Sequence, residues 1–400
     1  MNAPLNRRQL LTALALASPA TRLFAGAPEA PKFLLVFLRG GYDATHLLVP
    51  ISSSFYYEQR PKIAIAKPGA GVETALAVNS DWALHPALRE SVYPLLQQGQ
   101  AAFVPFAGTD DLTRSHFETQ DSIELGQALA GARDLQSGFM NRLAAELGAR
   151  QAISFTDQLP VCFRGQTKIG NAALRDGPRP VVDAKNRALL SAMYSGQPLS
   201  AQVEEGFALR EEVAKELSPA VMKEMDAAGR NAITAKGFEL EARRIARLMR
   251  GRFQLGFVDV GGWDTHVAQG GATGTLATRF EELGRGLAAY ADELGPAAWQ
   301  HTTVMVISEF GRTFRENGNR GTDHGHGSVY WVLGGGLATS GVVGEQIQLN
   351  ATTLFQNRDY PVLNDYRSVL GGLWRRQFGL SDDALGRVFP GAARRDLGLV

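Results

Sequence analysis

The stretch Phe33-Leu34-Leu35-Val36-Phe37-Leu38-Arg39-Gly40-Gly41-Tyr42-Asp43 is the clearest fold signal in the sequence. Its first six residues are apolar without polar alternation, which indicates a strand buried on both faces, as in a parallel sheet covered by helices. The run ends at a glycine-rich turn that leads to Asp43. Open α/β sheets bind ligands beyond the carboxyl ends of their strands, so Asp43 is a candidate site residue. It can equally cap the segment that follows.

The rest of the chain repeats this alternation of apolar runs and amphipathic segments. Strands are predicted at 101–104, 255–260, 302–307 and 329–333, and helices at 117–129, 275–294 and 365–378. This order predicts an α/β fold with a doubly wound, mainly parallel sheet. Residues from about 185 to 250 are rich in Ala, Glu, Lys and Arg, and we interpret them as a helix-rich insertion that covers the sheet.

The composition narrows the possible functions. Apolar residues make up 44% of the chain and charged residues 20%, which indicates a folded protein with a large core. The net charge is +1, so no general field attracts nucleic acid, and we expect no nucleic-acid partner. Cys162 is the single cysteine, which excludes an intrachain disulfide and a thiolate zinc site. We interpret it as an inert core residue.

The first residues have the pattern of an export signal. Arg7 and Arg8 precede an apolar run at 10–16 and small residues up to Ala27. This pattern is typical of a twin-arginine signal peptide spanning 1–27, with the mature domain at 28–400. The apolar run is too short to cross ~30 Å of hydrocarbon, so we expect no stable membrane span after cleavage. The predicted location is periplasmic or secreted, and the predicted partner is the twin-arginine (Tat) export machinery.

Carboxylates and histidines follow several of the predicted strands. Asp264-Thr265-His266 follows 255–260, Glu309 follows 302–307, and Asp323-His324-Gly325-His326 precedes 329–333. Carboxylate oxygens with imidazole nitrogens, without thiolate, are typical ligands of divalent metal ions such as Zn, Mn, Mg or Ca. Glu309 has an alternative interpretation as a buried salt-bridge partner of Arg312. The predicted metal ligands are Asp43, Asp264, His266, Glu309, Asp323, His324 and His326.

Ser115 is the candidate nucleophile, because it precedes a predicted helix whose free N–H groups can stabilise an oxyanion. A simple N-cap formed by Thr113 or Ser115 is the alternative, and a bound water is another candidate nucleophile. Three arginines accompany the motifs and can either bind an anionic group or neutralise the carboxylates. These arginines are Arg39, Arg114 and Arg312. Three further histidines lie near the motifs and can line the cleft, although the sequence favours a structural role over a ligand role for each of them: His46, His85 and His116.

Together these motifs resemble a bacterial family of twin-arginine-exported proteins of unknown function within the alkaline phosphatase and sulfatase superfamily. The motifs that carry the resemblance are 38–43, 113–117, 261–266, 308–313, 323–326 and 365–370. The resemblance implies an alkaline-phosphatase-like fold. It also implies that Asp43 is the first-strand metal ligand and that Ser115 takes the place of the nucleophile. Asp264 and His266 would belong to one metal site, and the late histidine ligand would be His324 or His326, with Asp323 alongside.

The function implied by the resemblance is an exported, metal-dependent hydrolase of phosphate or sulfate esters. Two cations would activate Ser115 or a water, and the substrate would be a small anionic ester or a glycan-linked one. The sequence departs from the superfamily where Glu309-Phe310 lacks an imidazole and where Asp264 and His266 lie two residues apart instead of four. No Cys-x-Pro-x-Arg segment is present, which argues against a sulfatase that uses a formylglycine made from cysteine. The alternative is a non-catalytic, metal-stabilised periplasmic binding or assembly protein.

Overall fold

The computed structural model describes residues 30–130, 132–148, 151–172, 184–201, 203–204, 207 and 237–400. The predicted signal peptide at 1–27 lies outside the described residues, and so does the central part of the predicted insertion, 208–236. In the part of the insertion that the structure describes, helices span Ala184–Tyr194 and Phe238–Gly251.

A mixed, mostly parallel sheet is the centre of the fold. The strands in the described residues are β1 (Lys32–Leu38), β2 (Leu48–Pro50), β3 (Leu76–Ala77), β4 (Trp82–Leu84), β5 (Ala101–Gly108), β6 (Ala152–Ser154), β7 (Gly170–Asn171), β8 (Leu255–Val260), β9 (Thr302–Ser308), β10 (Ser328–Leu333), β11 (Gly341–Val342) and β12 (Asn364–Asp365). The strand order of the central sheet is β11-β5-β10-β9-β1-β8-β6-β7, with β12 paired to β5, and β2, β4 and β3 form a small separate sheet.

The helices in the described residues are α1 (Ala44–Leu47), α2 (Ser54–Gln59), α3 (Val92–Gln97), α4 (His116–Leu125), α5 (Phe139–Glu146), α6 (Ala184–Tyr194), α7 (Phe238–Gly251), α8 (Thr275–Gln300), α9 (Tyr366–Phe378) and α10 (Asp382–Val388). Helix α4 ends earlier than predicted because Gly126 adopts a left-handed conformation with φ 63°. Helix α8 kinks at Gly295, with φ 76°, and helical turns continue beyond the predicted end.

The strand directions bring the predicted site segments to one edge of the sheet. Strand β1 pairs in parallel with β8 and β9, whereas β10 pairs antiparallel with both β9 and β5. Strand β5 therefore runs in the same direction as β9. The carboxyl ends of β1, β5, β8 and β9 meet at the edge where β10 begins. This confirms the predicted α/β class and mainly parallel sheet, with β10 as an antiparallel member.

Both faces of the sheet are buried, as the uninterrupted apolar run in β1 predicts. Leu34, Val36 and Leu38 belong to a core shared with α7 and α8. The alternate residues, Phe33 and Leu35 among them, belong to a second core shared with α5 and α9. Side chains of successive strand residues point to opposite faces, so one strand contributes to two cores. Fully burying each such side chain stabilises the fold by about 1.5–3 kcal/mol.

Two further predictions concern the core and the membrane. Cys162 is buried and unpaired, and burial raises the pKa of its thiol well above the ordinary value. A protonated, buried thiol agrees with the predicted inert role. Within the described residues, no helix combines the length and apolar character needed to cross a membrane.

Candidate metal centre

Short backbone pairings hold together the loops at the carboxyl edge of the sheet. Gly311 N donates to His326 O at 2.9 Å, and Thr313 N donates to Asp323 O at 2.9 Å. The loop after β9 is thereby paired with the loop before β10. Thr322 N donates to Thr265 O at 3.2 Å, which attaches the loop after β8. These pairings bring segments distant in sequence into contact.

Three side chains from these loops and from α4 form a compact group of potential metal ligands. His116, Asp264 and His324 each offer an atom within 4.8 Å of the others. Asp264 is central, with Oδ1 3.3 Å from His324 Nε2 and Oδ2 3.6 Å from His116 Nε2. His266 approaches two members of the group, because its Nε2 lies 2.9 Å from Asp264 Oδ1 and 3.1 Å from His324 Nε2. We call these four residues the metal centre.

The second ring nitrogen of each histidine in the metal centre contacts an oxygen acceptor. His116 Nδ1 lies 2.8 Å from Glu309 Oε1, and His266 Nδ1 lies 3.0 Å from Asp323 Oδ1. His324 Nδ1 lies 3.0 Å from the backbone oxygen of Arg114. An acceptor oxygen requires the Nδ1 atom to donate, so in each neutral imidazole Nε2 presents its lone pair. Metal-binding histidines are oriented in this way.

The short distance between the Nε2 atoms of His266 and His324 indicates that these residues fit a metal ion. With both Nδ1 atoms protonated, the Nε2 atoms of His266 and His324 direct lone pairs at each other across 3.1 Å. A cation removes this repulsion, and tetrahedral zinc bonds of ~2.0–2.1 Å to nitrogen place ligand atoms at about this separation. Imidazole-rich sites suit zinc or a similar transition metal better than magnesium or calcium, which prefer oxygen ligands.

Electrostatics keep two members of the metal centre, Asp264 and His324, in the forms that bind a cation. Burial alone would raise the pKa of Asp264, but Arg312 and the neighbouring histidines lower it below the ordinary value. The hydrogen bond that His116 donates to Glu309 raises the pKa of His116, which makes this imidazole a more basic ligand. Burial and the nearby His116 lower the pKa of His324. The carboxylate is therefore ionised, and His324 is neutral near pH 7.

Glu309, a predicted ligand, lies behind His116 and outside the group of three. Its Oε1 accepts hydrogen bonds from Gly40 N at 2.8 Å, His116 Nδ1 at 2.8 Å and Gln120 Nε2 at 2.9 Å. Burial alone would raise the pKa of Glu309, but the bonds from His116 and Gln120 hold it below the ordinary value. The ionised carboxylate thus orients His116.

Asp43, also a predicted ligand, is fully buried and is not brought into the group. Arg60 donates to both of its oxygens, at 2.5 Å and 3.0 Å, and Gln269 Nε2 donates to Oδ2 at 2.7 Å. Burial alone would raise the pKa of Asp43, but Arg60 and His46 hold it well below the ordinary value. Its position at the start of α1 matches the capping alternative in sequence, although its side chain makes no cap bond.

The two remaining predicted ligands have different surroundings. Asp323 is half exposed, accepts from Asn317 Nδ2 at 3.1 Å and contacts His266, so it orients that imidazole. His326 is buried, and its ring packs on Phe355 with centroids 5.0 Å apart. Burial lowers the pKa of His326 to about 4, which keeps it neutral. Neither residue belongs to the group of three.

The candidate nucleophile Ser115 is the N-cap residue of α4, and its Oγ accepts from Glu118 N at 3.5 Å. This agrees with the capping alternative, and the long bond is a weak restraint. His116, which follows Ser115, is the residue that sequence reasoning undervalued. The position of His116 inside the 113–117 motif, directly after the helix cap, could have indicated a ligand role. A side chain in the first turn of that helix lies near the ends of the strands.

The three predicted anion-binding arginines all contact carboxylates. Arg39 donates to Glu124 at 2.5 Å and to Asp259 at 3.2 Å. Arg114 donates to Asp359, with its closest contact at 2.7 Å. Of the three, Arg312 reaches the metal centre, where its Nη2 donates to Asp264 Oδ1 at 2.7 Å. Its Nε and Nη1 are buried and have no hydrogen-bond partner among the residues that the structure describes.

Gly40 is the position where the backbone of the β1 turn touches the metal centre most closely. A Cβ atom there would lie 2.7 Å from Asp264 N, and φ is +121°, a region that disfavours other residues. We therefore expect Gly40→Ala to displace Asp264 and weaken zinc affinity by about tenfold or more. This is the size of effect that follows when a residue supporting a metal ligand is changed. Zinc titration against a chelator measures this.

The matched control is Gly99→Ala, because Gly99 also has a positive φ, +76°, but has no atom within 4 Å of the added Cβ. It should lower the melting temperature without changing zinc affinity. Equal zinc affinity in Gly40→Ala and the parent would contradict the predicted contact.

Comparisons with known proteins give a family for the chain. Comparison with curated proteins finds no match. Among solved structures, the chain is similar to one described as "Crystal structure of Ps i-CgsB in complex with k-i-k-neocarrahexaose", with 8% identity and a TM-score of 0.36. That match covers 89% of this chain and 74% of the other, and a likeness this distant carries no functional inference. The family model "Protein of unknown function (DUF1501)" matches residues 30–389, so the chain belongs to the DUF1501 family.

Proposed function

We propose that this protein is an exported, metal-dependent hydrolase of phosphate or sulfate esters. The observation that carries the proposal is the convergence of three oriented imidazoles on Asp264 at the carboxyl edge of the sheet. His116, Asp264 and His324 would hold the cation, with His266 as the fourth ligand. These four ligands define one metal position, whereas the resemblance to the superfamily implies two.

The chemistry follows from the groups around the metal centre. A bound divalent cation supplies a Lewis acid that polarises the ester oxygen. If water attacks, its oxygen forms a bond to phosphorus or sulfur while the ester bond breaks, and the proton that the water loses is taken up by the leaving alcohol. If Ser115 attacks, a phosphate or sulfate ester of the serine forms first, and water then displaces the serine oxygen and releases the inorganic anion. Arg312 donates to Asp264 Oδ1, and its positive charge beside the metal centre would stabilise negative charge that develops on a bound ester. Water and the Ser115 hydroxyl remain the two candidate nucleophiles.

The proposed export and superfamily membership rest on sequence features. The paired arginines and short apolar run at the N-terminus support twin-arginine export to the periplasm, with the Tat machinery as a partner. The position of the metal centre, beyond the carboxyl ends of β1, β5, β8 and β9, supports an alkaline-phosphatase-like arrangement. The proposed substrate is a small anionic ester, free or linked to a glycan.

A specific observation also favours a second candidate, a non-catalytic, metal-stabilised binding or assembly protein. Arg39 and Arg114 are paired with carboxylates, so neither is available to bind a substrate anion without breaking an ion pair. The capping role of Ser115 points in the same direction. In this second function the metal centre would stabilise the loops at the carboxyl edge.

Turnover of esters by metal-loaded protein separates the two candidates. The protein is loaded with zinc or manganese and assayed with aryl phosphate and aryl sulfate esters, beside Asp264→Asn and a surface control, Asp292→Asn. The side chain of Asp292 is 77% exposed. The hydrolase proposal predicts metal-dependent turnover that Asp264→Asn loses and Asp292→Asn keeps. Near-stoichiometric metal without turnover above that of the free ion would overturn it and favour the second candidate.

A further inference from the structure

Gln269 is a fully buried amide in the loop after β8, and every hydrogen-bonding position of its side chain is used. Its Oε1 accepts from Thr265 Oγ1 at 3.2 Å and from Thr322 Oγ1 at 2.8 Å. Its Nε2 donates to Asp43 Oδ2 at 2.7 Å and lies 3.1 Å from His46 Nδ1. An amide can accept two and donate two hydrogen bonds, so this side chain is saturated.

The partners of the amide oxygen lie beside the proposed metal ligands. Thr265 is between Asp264 and His266 in the chain, and Thr322 is two residues before His324. The Gln269 oxygen therefore joins the loop after β8 to the loop before β10, and these two loops supply three of the four proposed ligands. The backbone of Gln269 adds to this connection, because its N–H donates to Arg320 O at 3.0 Å.

The partners of the amide nitrogen belong to a different, rigid element. Asp43 is fixed by two hydrogen bonds from Arg60, and both side chains are completely buried. Burial lowers the pKa of His46 to about 3, so its imidazole is neutral and its Nδ1 can accept from Gln269. The amide thus has a fixed anchor on one side and two ligand-bearing loops on the other.

We propose that Gln269 is a positioning residue that couples metal binding to the buried Asp43–Arg60 ion pair. This inference rests on the proposed metal centre and extends it to residues that touch no ligand atom. A metal site needs its ligands held within about 0.5 Å of the binding geometry. The directional bonds of this saturated amide act beside the backbone bond from Thr322 N to Thr265 O in fixing the separation of the two ligand loops. Loss of the amide leaves the hydroxyls of Thr265 and Thr322 without this partner, and the remaining backbone bonds hold the ligands less closely.

The test compares Gln269→Met, which keeps the side-chain length, with a matched control, Asn364→Leu. Asn364 is also fully buried, and its amide bonds Pro105 O at 2.7 Å and Glu345 O at 2.9 Å, with no contact to the metal centre. Full-length protein is titrated with cobalt(II) and zinc(II) while the visible cobalt spectrum is recorded. We expect zinc affinity to fall about 10–100-fold in Gln269→Met, with an altered cobalt spectrum. Asn364→Leu should lower the melting temperature and leave both metal readouts unchanged.

Thr322→Val, which removes one hydrogen bond to the Gln269 amide, tests the same coupling if Gln269→Met does not fold. It removes the shorter of the two bonds to the amide oxygen, and we expect a smaller loss of zinc affinity in the same direction. Parent-like affinity and cobalt spectra in every folded variant would overturn the coupling and leave the metal centre intact. If the parent protein binds neither metal, the proposed metal centre itself is wrong, and the coupling falls with it.

Discussion

Arg60→Met should destabilise the folded protein by about 3–5 kcal/mol, the usual cost of removing one partner of a buried ion pair. Arg60 is fully buried, and its guanidinium donates to both Asp43 oxygens and to the backbone oxygens of Phe314 and Thr313. Without it, Asp43 must either stay charged in a fully buried site where the described part of the chain offers no other cationic partner of this strength or take up a proton. Denaturant unfolding followed by far-UV circular dichroism measures the loss.

Two comparisons make this prediction specific. Arg387 forms a two-point pair with Glu146 at the surface, at 2.6 Å and 2.7 Å, so Arg387→Met should have a much smaller effect. The double variant Asp43→Asn with Arg60→Met removes both charges and should recover part of the lost stability. An unfolding free energy for Arg60→Met equal to that of Arg387→Met would contradict the structural role of the buried pair.

The buried pair also has a defined pH dependence. The pKa of Asp43 in the folded protein lies well below its ordinary value, owing to Arg60 and His46 acting against burial. A lowered carboxyl pKa contributes stability that is fully present above the unfolded-state pKa of about 3.9 and is lost as the pH falls through the folded-state pKa. The stability difference between the parent and Asp43→Asn should therefore be constant near pH 7 and shrink below about pH 4.

The second large effect is expected at Glu309. Glu309→Gln keeps the shape of the side chain but removes the negative charge that orients His116. Outer residues that hold a metal-binding histidine typically contribute 10–100-fold to metal affinity, and we expect a loss of that order. Zinc affinity is measured by competition with a chromophoric chelator, on protein whose folding is verified by circular dichroism.

The control for Glu309→Gln is Glu146→Gln, which removes a carboxylate charge whose hydrogen bonds come from Arg387 at the surface. Its zinc affinity should equal that of the parent. If Glu309→Gln also binds zinc as tightly as the parent, the hydrogen bond from His116 to Glu309 has no role in the metal centre.

The sheet could be predicted from the sequence because its signals are local. The apolar run at 33–38 forms β1, and the predicted strand at 255–260 has the bounds of β8. The direction of β10 could not be predicted, because its apolar run is compatible with either orientation. Its direction depends on how β10 pairs with β5 and β9. The length of α4 was overestimated because Gly126 ends it, and a glycine inside an amphipathic pattern does not by itself mark an end.

The sequence predicts which loops form the metal centre, but it does not predict which carboxylates in them contact the ligand group. Asp264, His266 and His324 were predicted as ligands, and the structure places them in contact. Which other carboxylates lie near them depends on side-chain direction. Asp43 and Glu309 each follow a strand, yet Asp43 contacts Arg60, which directly follows α2 and lies 17 residues later, and Glu309 contacts His116, 193 residues earlier. Such partners are set by tertiary packing, which local patterns do not encode.

The location of bound zinc tests the central claim most directly. Crystals of the zinc-loaded protein, measured at the zinc absorption edge, reveal the ion as an anomalous difference peak. We expect one peak about 2.0–2.2 Å from an oxygen of Asp264 and from Nε2 of His116, His266 and His324, at the bond lengths typical of zinc. A peak at Asp43 or His326 instead, or no peak in zinc-soaked crystals, would contradict the metal centre formed by His116, Asp264, His266 and His324.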